Sequence, residues 1–137
     1  MATVTKKGKA IKLSTNFKST EFDCKCKSYC SNTIIDTRLI EYLQTIRNHF
    51  KAPVIINSGY RCAQHNRRVG GASKSKHLLG MAADIKVKGV EPLEVARYAE
   101  SLGVRGIGLY PTFVHIDTRA KKSYWYGSQQ AYRGTFK

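Results

Sequence analysis

In residues 36–50 the apolar side chains Leu39, Ile40, Leu43, Ile46 and Phe50 recur at helical spacing, while the positions between them are largely polar. A helix with one apolar side must lie against a second layer, so this segment commits the chain to a packed, layered fold. Asp36 stands where an N-cap is expected, Pro53 marks the stop, and Val54-Ile55-Ile56 behind it reads as a buried strand. Residues 82–87 predict another strand, with Ala83, Ile85 and Val87 on one face and Asp84 on the other. Residues 91–102 predict a second helix, with Pro92 in its first turn and Gly103 as its stop. Residues 107–110 and 113–117 predict two more strands around a turn at Pro111. Helices and strands follow one another without regular alternation, which predicts an α+β domain with a largely antiparallel sheet flanked by helices.

The 137 residues suit one domain, read as a basic N-terminal arm over residues 1–13 and a folded unit over 14–137. The longest nearly apolar run, residues 78–83, is six residues long. A membrane-spanning helix needs about 20. The N-terminus is basic but lacks the apolar stretch of a secretory signal, so a cytoplasmic chain that leaves the cell by another route is expected. With 24 Lys and Arg against 9 Asp and Glu, the net charge is +15. Polyanions are therefore the expected partners: nucleic acid, anionic lipid or an acidic cell wall. No helix–turn–helix, RNA-recognition or zinc-finger pattern is present, which argues against a specific nucleic-acid partner.

Histidine is scarce, at four residues, and two of them stand in informative company. Ser75-Lys-His77 is followed by Gly80 and Asp84, and Val114-His115-Ile-Asp117 comes later. His115 and Asp117 share one face of their predicted strand, and Asp84 leaves its own strand opposite Ile85. Two imidazoles and a carboxylate from separate segments match a hydrolytic zinc site, with three protein ligands and an open position for water. Such an ion lowers the pKa of bound water from 15.7 to about 7. The bare residues also admit histidines that only make hydrogen bonds.

Three blocks carry a resemblance: Ser58-Gly-Tyr-Arg61-Cys-Ala-Gln-His65-Asn66, then Ser75-x-His77-x-x-Gly80-x-Ala-x-Asp84, then Gly106-x-Gly108-x-Tyr110-Pro111-x-Phe-Val-His115-Ile-Asp117. Over residues 17–125 the chain resembles the zinc D-Ala-D-Ala carboxypeptidase family. That family contains cell-wall peptidases and phage endolysins and shares a core with lysostaphin-type enzymes and the hedgehog domain. The resemblance implies a hedgehog/D-Ala-D-Ala-peptidase-like fold, a Zn2+ ion on His77, Asp84 and His115, and hydrolysis of peptidoglycan peptides. Arg61 would bind a substrate carboxylate or the developing oxyanion. Ser75 and Tyr110 join it as candidate substrate contacts, and Ser58 and Ser75 shape the loops rather than react.

Several relatives carry a glutamate general base three residues before the last histidine, where this chain has Thr112. Asp117 is then the leading carboxylate, either as the base or as a residue that orients an imidazole, and His65 is a weaker candidate base. Cys24, Cys26, Cys30 and Cys62 are read three ways: a second, structural zinc site, disulfides formed after release, or free thiols. The functional expectation is a monomeric, endolysin-like metallopeptidase of phage or prophage lysis that acts on an anionic cell wall. A non-catalytic zinc-containing binding module is the alternative.

Overall fold

The computed structural model describes residues 2–27, 29–127, 131–132 and 136. Near the N-terminus lie the strands β1 (Ala2–Lys6), β2 (Lys12–Ser14), β3 (Phe17–Lys18) and β4 (Asn32–Asp36). Then come α1 (Thr37–Phe50), β5 (Val54–Ser58), α2 (Ala63–Arg68), β6 (Ala82–Val87) and α3 (Pro92–Ser101). β7 (Gly106–Leu109), β8 (Val114–Asp117), β9 (Ser123–Tyr126) and β10 (Ala131–Tyr132) complete the order. Two short 3-10 turns, Ser19–Phe22 and Lys76–Leu79, interrupt the loops.

The main sheet has six strands in the order β10-β9-β7-β8-β6-β5, antiparallel throughout except for the parallel pair β7 and β9. This is the α+β fold with a largely antiparallel sheet that the sequence predicts. Asp36 caps α1 as expected, its Oδ1 accepting from the amide of Arg38 at 3.0 Å. The helix ends two residues ahead of Pro53, at Lys51, whose left-handed backbone (φ 53°) closes the last turn onto the Arg47 carbonyl.

Leu39, Leu43 and Ile46 of α1 and Val95, Ala96 and Ala99 of α3 are buried in one core with Ala83, Ile85 and Val87 of β6 and Val114 and Ile116 of β8. Each large aliphatic side chain buried this way contributes about 1.5–3 kcal/mol. Because side chains alternate along a strand, filling one face of β6 and β8 with aliphatics sends Asp84, His115 and Asp117 to the other.

Two local expectations differ from the structure. Val54-Ile55-Ile56 is not buried throughout: β5 is the sheet's edge strand, and Ile55 is 50% exposed while Val54 is buried. The N-terminal residues, expected as an arm, include a strand, with Ala2 to Lys6 pairing antiparallel with Asp36 to Asn32. Val4 and the β-branched threonines around it suit an extended ladder, and Thr33 on the facing strand is fully buried.

Candidate metal centre

The site is built on one row across the sheet. Asp84 on β6 pairs with His115 on β8, His115 with Gly108 on β7, and Gly108 with Trp125 on β9. Facing residues on adjacent strands have neighbouring side chains, so the register alone brings Asp84 to His115. His77 arrives from outside the sheet on the turn Lys76–Leu79. Ser75 caps that turn, its Oγ accepting from the His77 amide at 3.2 Å.

Three donor atoms converge. Oδ1 of Asp84 lies 3.3 Å from Nε2 of His77 and 3.0 Å from Nδ1 of His115. The outer edge of each ring is held as well. His77 Nδ1 lies 2.7 Å from the carbonyl of Gly59, and His115 Nε2 lies 2.7 Å from Asp117 Oδ2. A carbonyl can only accept, so Nδ1 of His77 carries a proton, and Nε2, which meets Asp84 at 3.3 Å, is the nitrogen that would offer its lone pair to a metal in place of a proton. Asp117 does the same for His115, leaving Nδ1 to face the centre. A tetrahedral zinc with bonds of about 2.0–2.2 Å holds its N and O donors roughly 3.3–3.5 Å apart, so this donor set fits zinc.

Burial alone would push the Asp84 acid up, but hydrogen bonds from His115 and His77 hold it well below the ordinary carboxylate range. Burial would push His115 down, yet the carboxylates of Asp117 and Asp84 on its two edges raise it above the usual imidazole value. Asp117 is likewise held low against its burial, by His115 and Arg119. Its side chain is fully buried and committed to partners: Arg119 donates from its backbone N, Nε and Nη2 at 3.1, 2.8 and 2.6 Å.

The centre opens into a cleft of about 580 Å³ lined by Arg61, Ser75, His77, Asp84, Tyr110, Phe113, His115, Arg119 and Trp125 among others. Arg61 is braced by Ser58 Oγ at 3.2 Å and by Asn66 Oδ1 at 3.2 Å, and its Nη2 reaches Asp84 Oδ2 at 3.5 Å. Tyr110 stacks on Phe113 and accepts from Trp125 Nε1 at 3.0 Å. His77, Asp84, His115, Arg61, Ser75 and Tyr110 thus share one cleft, while Asp117 lies behind His115. Among the described residues, neither His65, on α2, nor Thr112, exposed in the β7–β8 turn, lines it.

The sequence assigns no site role to Trp125, Arg119 or Asn66, the last of which stands in the first motif block. The indole lies 5.1 Å from the His115 ring, and the Arg119 guanidinium sits 5.1 Å over the indole. Gly106 and Gly108 make room. A Cβ on Gly108 would stand 2.4 Å from the indole, and one on Gly106 would run into the Asp117 carboxylate. The Gly-x-Gly strand and the lone tryptophan were the signals available.

The family profile described as Peptidase M15 matches residues 15–117, a span that contains Arg61, His77, Asp84 and His115. The chain is 34% identical over 103 residues to the peptidoglycan L,D-endopeptidase MepK of Escherichia coli K12, covering 67% of this chain and 57% of that protein. It is 36% identical over 94 residues to the probable peptidoglycan L,D-endopeptidase MepK of Haemophilus influenzae, covering 61% of this chain and 50% of that protein. The chain therefore spans little more than half the length of these relatives. On the family match over most of its length, this chain belongs to the Peptidase M15 family.

Proposed function

We propose that this chain is a zinc-dependent peptidase that hydrolyses peptide bonds of bacterial peptidoglycan. The observation that carries the reading is the convergence of His77 Nε2, Asp84 Oδ1 and His115 Nδ1 at the floor of an open cleft beside Arg61. When bound there, zinc supplies a Lewis acid for the scissile carbonyl and activates water for attack. Arg61, already braced by Ser58 and Asn66, offers a fixed cation where charge builds on the carbonyl oxygen. Asp117 keeps His115 in its ligating tautomer. Of its two candidate roles, its four hydrogen bonds, one with His115 and three from Arg119, support positioning over proton abstraction. Ser75 acts through the cap that aims His77, and Tyr110 and Trp125 form a wall for the substrate backbone.

The substrate class draws support from the names of the relatives and from charge. Arg61, Lys74, Lys76 and Arg119 line the cleft, with Asp84 the single carboxylate among the described lining residues, which suits peptides bearing free carboxylates. The +15 charge would concentrate the protein on an anionic wall, an effect that weakens with salt. The donors all come from one chain, so a monomer suffices. An endolysin-like role in phage or prophage lysis is the setting we assign to it. No helix among the described residues is long and apolar enough to cross a membrane.

Mass spectrometry of purified peptidoglycan fragments tests this reading. Zinc-loaded protein should generate new amines and shortened stem peptides, and chelation should abolish both. One observation favours a second reading: Thr112 replaces the glutamate of several relatives, and no uncommitted carboxylate lines the described cleft. A wall-binding module without catalysis would bind the same peptidoglycan and release no amine.

A further inference from the structure

We infer that Cys24, Cys26, Cys30 and Cys62 form a second, structural zinc site, joined to the cleft by the chain step from Cys62 to Arg61. The four Sγ atoms all lie within 4.8 Å of one another, although Cys24 and Cys62 are 38 residues apart in sequence. Cys24 Sγ lies 3.7 Å from Cys62 Sγ, and Cys26 Sγ lies 3.4 Å from Cys30 Sγ. A tetrahedral ion with Zn–S bonds of about 2.3 Å holds its sulfurs roughly 3.8 Å apart, and the two spacings lie at or just inside that value. Two disulfides would join these sulfurs in pairs at about 2.05 Å and would not require all four to meet at one point.

The surroundings suit thiolates. Four thiolates around a divalent cation leave two negative charges, which need donors nearby. Lys7 Nζ lies 3.2 Å from Cys26 Sγ and also donates to the Cys26 carbonyl at 2.8 Å, and the Cys62 amide donates to Cys24 Sγ at 3.4 Å. Cys24, Cys26 and Cys62 are buried, with Tyr60 packed against them. An all-sulfur, four-ligand set has no position left for water or substrate, so the role is structural. Sulfur ligands select zinc or iron–sulfur centres over hard cations.

The site also explains what fixes its own segment. The described residues of 23–31 carry no helix or strand, so few backbone ladders hold this loop. Binding releases the thiol protons and ties the loop to Cys62, the N-cap of α2 and the neighbour of Arg61. The second ion therefore steadies the arginine of the cleft, while its existence does not depend on the catalytic reading.

The test uses the full chain carrying His77→Ala and His115→Ala, which removes the first site. Native mass spectrometry after zinc loading should still find one zinc per chain, and zinc-edge absorption should find a sulfur-only shell at about 2.3 Å. Cys30→Ser, at the least buried ligand, should release zinc to a chelator markedly faster than its parent. A chain with no zinc, a mass short by the hydrogens of two disulfides, iron in the sulfur shell, or zinc release unchanged by Cys30→Ser would each overturn the inference.

Discussion

The carboxylate of Asp117 holds His115 by the edge of the ring opposite the nitrogen that faces Asp84, at 2.7 Å from Nε2. Asp84, His115 and Asp117 therefore form a chain in which the last member sets the tautomer of the middle one. Replacing Asp117 by Asn keeps the size and removes the charge. Zinc affinity measured by competition with a chromophoric chelator should fall by about 10–100-fold. Affinity and turnover both equal to wild type would contradict the positioning role.

Arg61 meets Ser58, Asn66 and Asp84 with a planar fork that lysine cannot reproduce. Arg61→Lys should lower kcat by roughly 10²-fold if the guanidinium stabilises charge in the transition state. Zinc stoichiometry should stay the same. A loss confined to KM would assign Arg61 to ground-state binding instead.

Gly108 is what lets the indole of Trp125 lie across β7 toward His115. In Gly108→Ala the new methyl carbon would stand 2.4 Å from the ring, so the indole must move. Trp125 is the only tryptophan, and its emission should shift to the red as the ring leaves its place on His115 and Arg119. KM should rise in parallel. An unchanged spectrum would mean that the strand, rather than the ring, absorbs the clash.

The pH dependence follows from the charges around His115. Its raised pKa stabilises the metal-free fold at low pH, and that contribution is lost as pH climbs through the raised value. The depressed acids Asp84 and Asp117 contribute stability above the ordinary carboxylate range, lost as pH falls below it. Metal-free protein should thus melt highest between those two limits. Zinc requires a neutral His115, so its binding should release a proton and strengthen as pH rises through that titration. Thermal melts with and without chelator, and calorimetry in buffers of different ionisation enthalpy, check both signs.

Much of this was legible from the chain alone, for identifiable reasons. The period of Leu39, Ile40, Leu43 and Ile46 and the cap at Asp36 are local signals, and α1 obeys both. Strand alternation correctly separated Asp84 from Ile85 and paired His115 with Asp117 on one face, because the buried side of β6 and β8 is uniformly aliphatic. The pairing of β1 with β4 depends on partners some 30 residues apart, and local basic charge concealed it. The contact of Trp125 with Arg119 and His115 depends on the parallel pairing of β7 with β9, across the intervening β8 in sequence, which no short window contains. The exposure of Ile55 reflects the position of β5 at the sheet edge, which composition does not encode.

The central claim is that one divalent ion is gripped by His77, Asp84 and His115. Anomalous diffraction at the zinc edge, from crystals grown with excess zinc, tests it most directly. The account predicts a peak about 2.0–2.2 Å from His77 Nε2, an Asp84 carboxylate oxygen and His115 Nδ1, with density for a fourth ligand on the cleft side. Zinc-saturated crystals with no peak among those three side chains would contradict it.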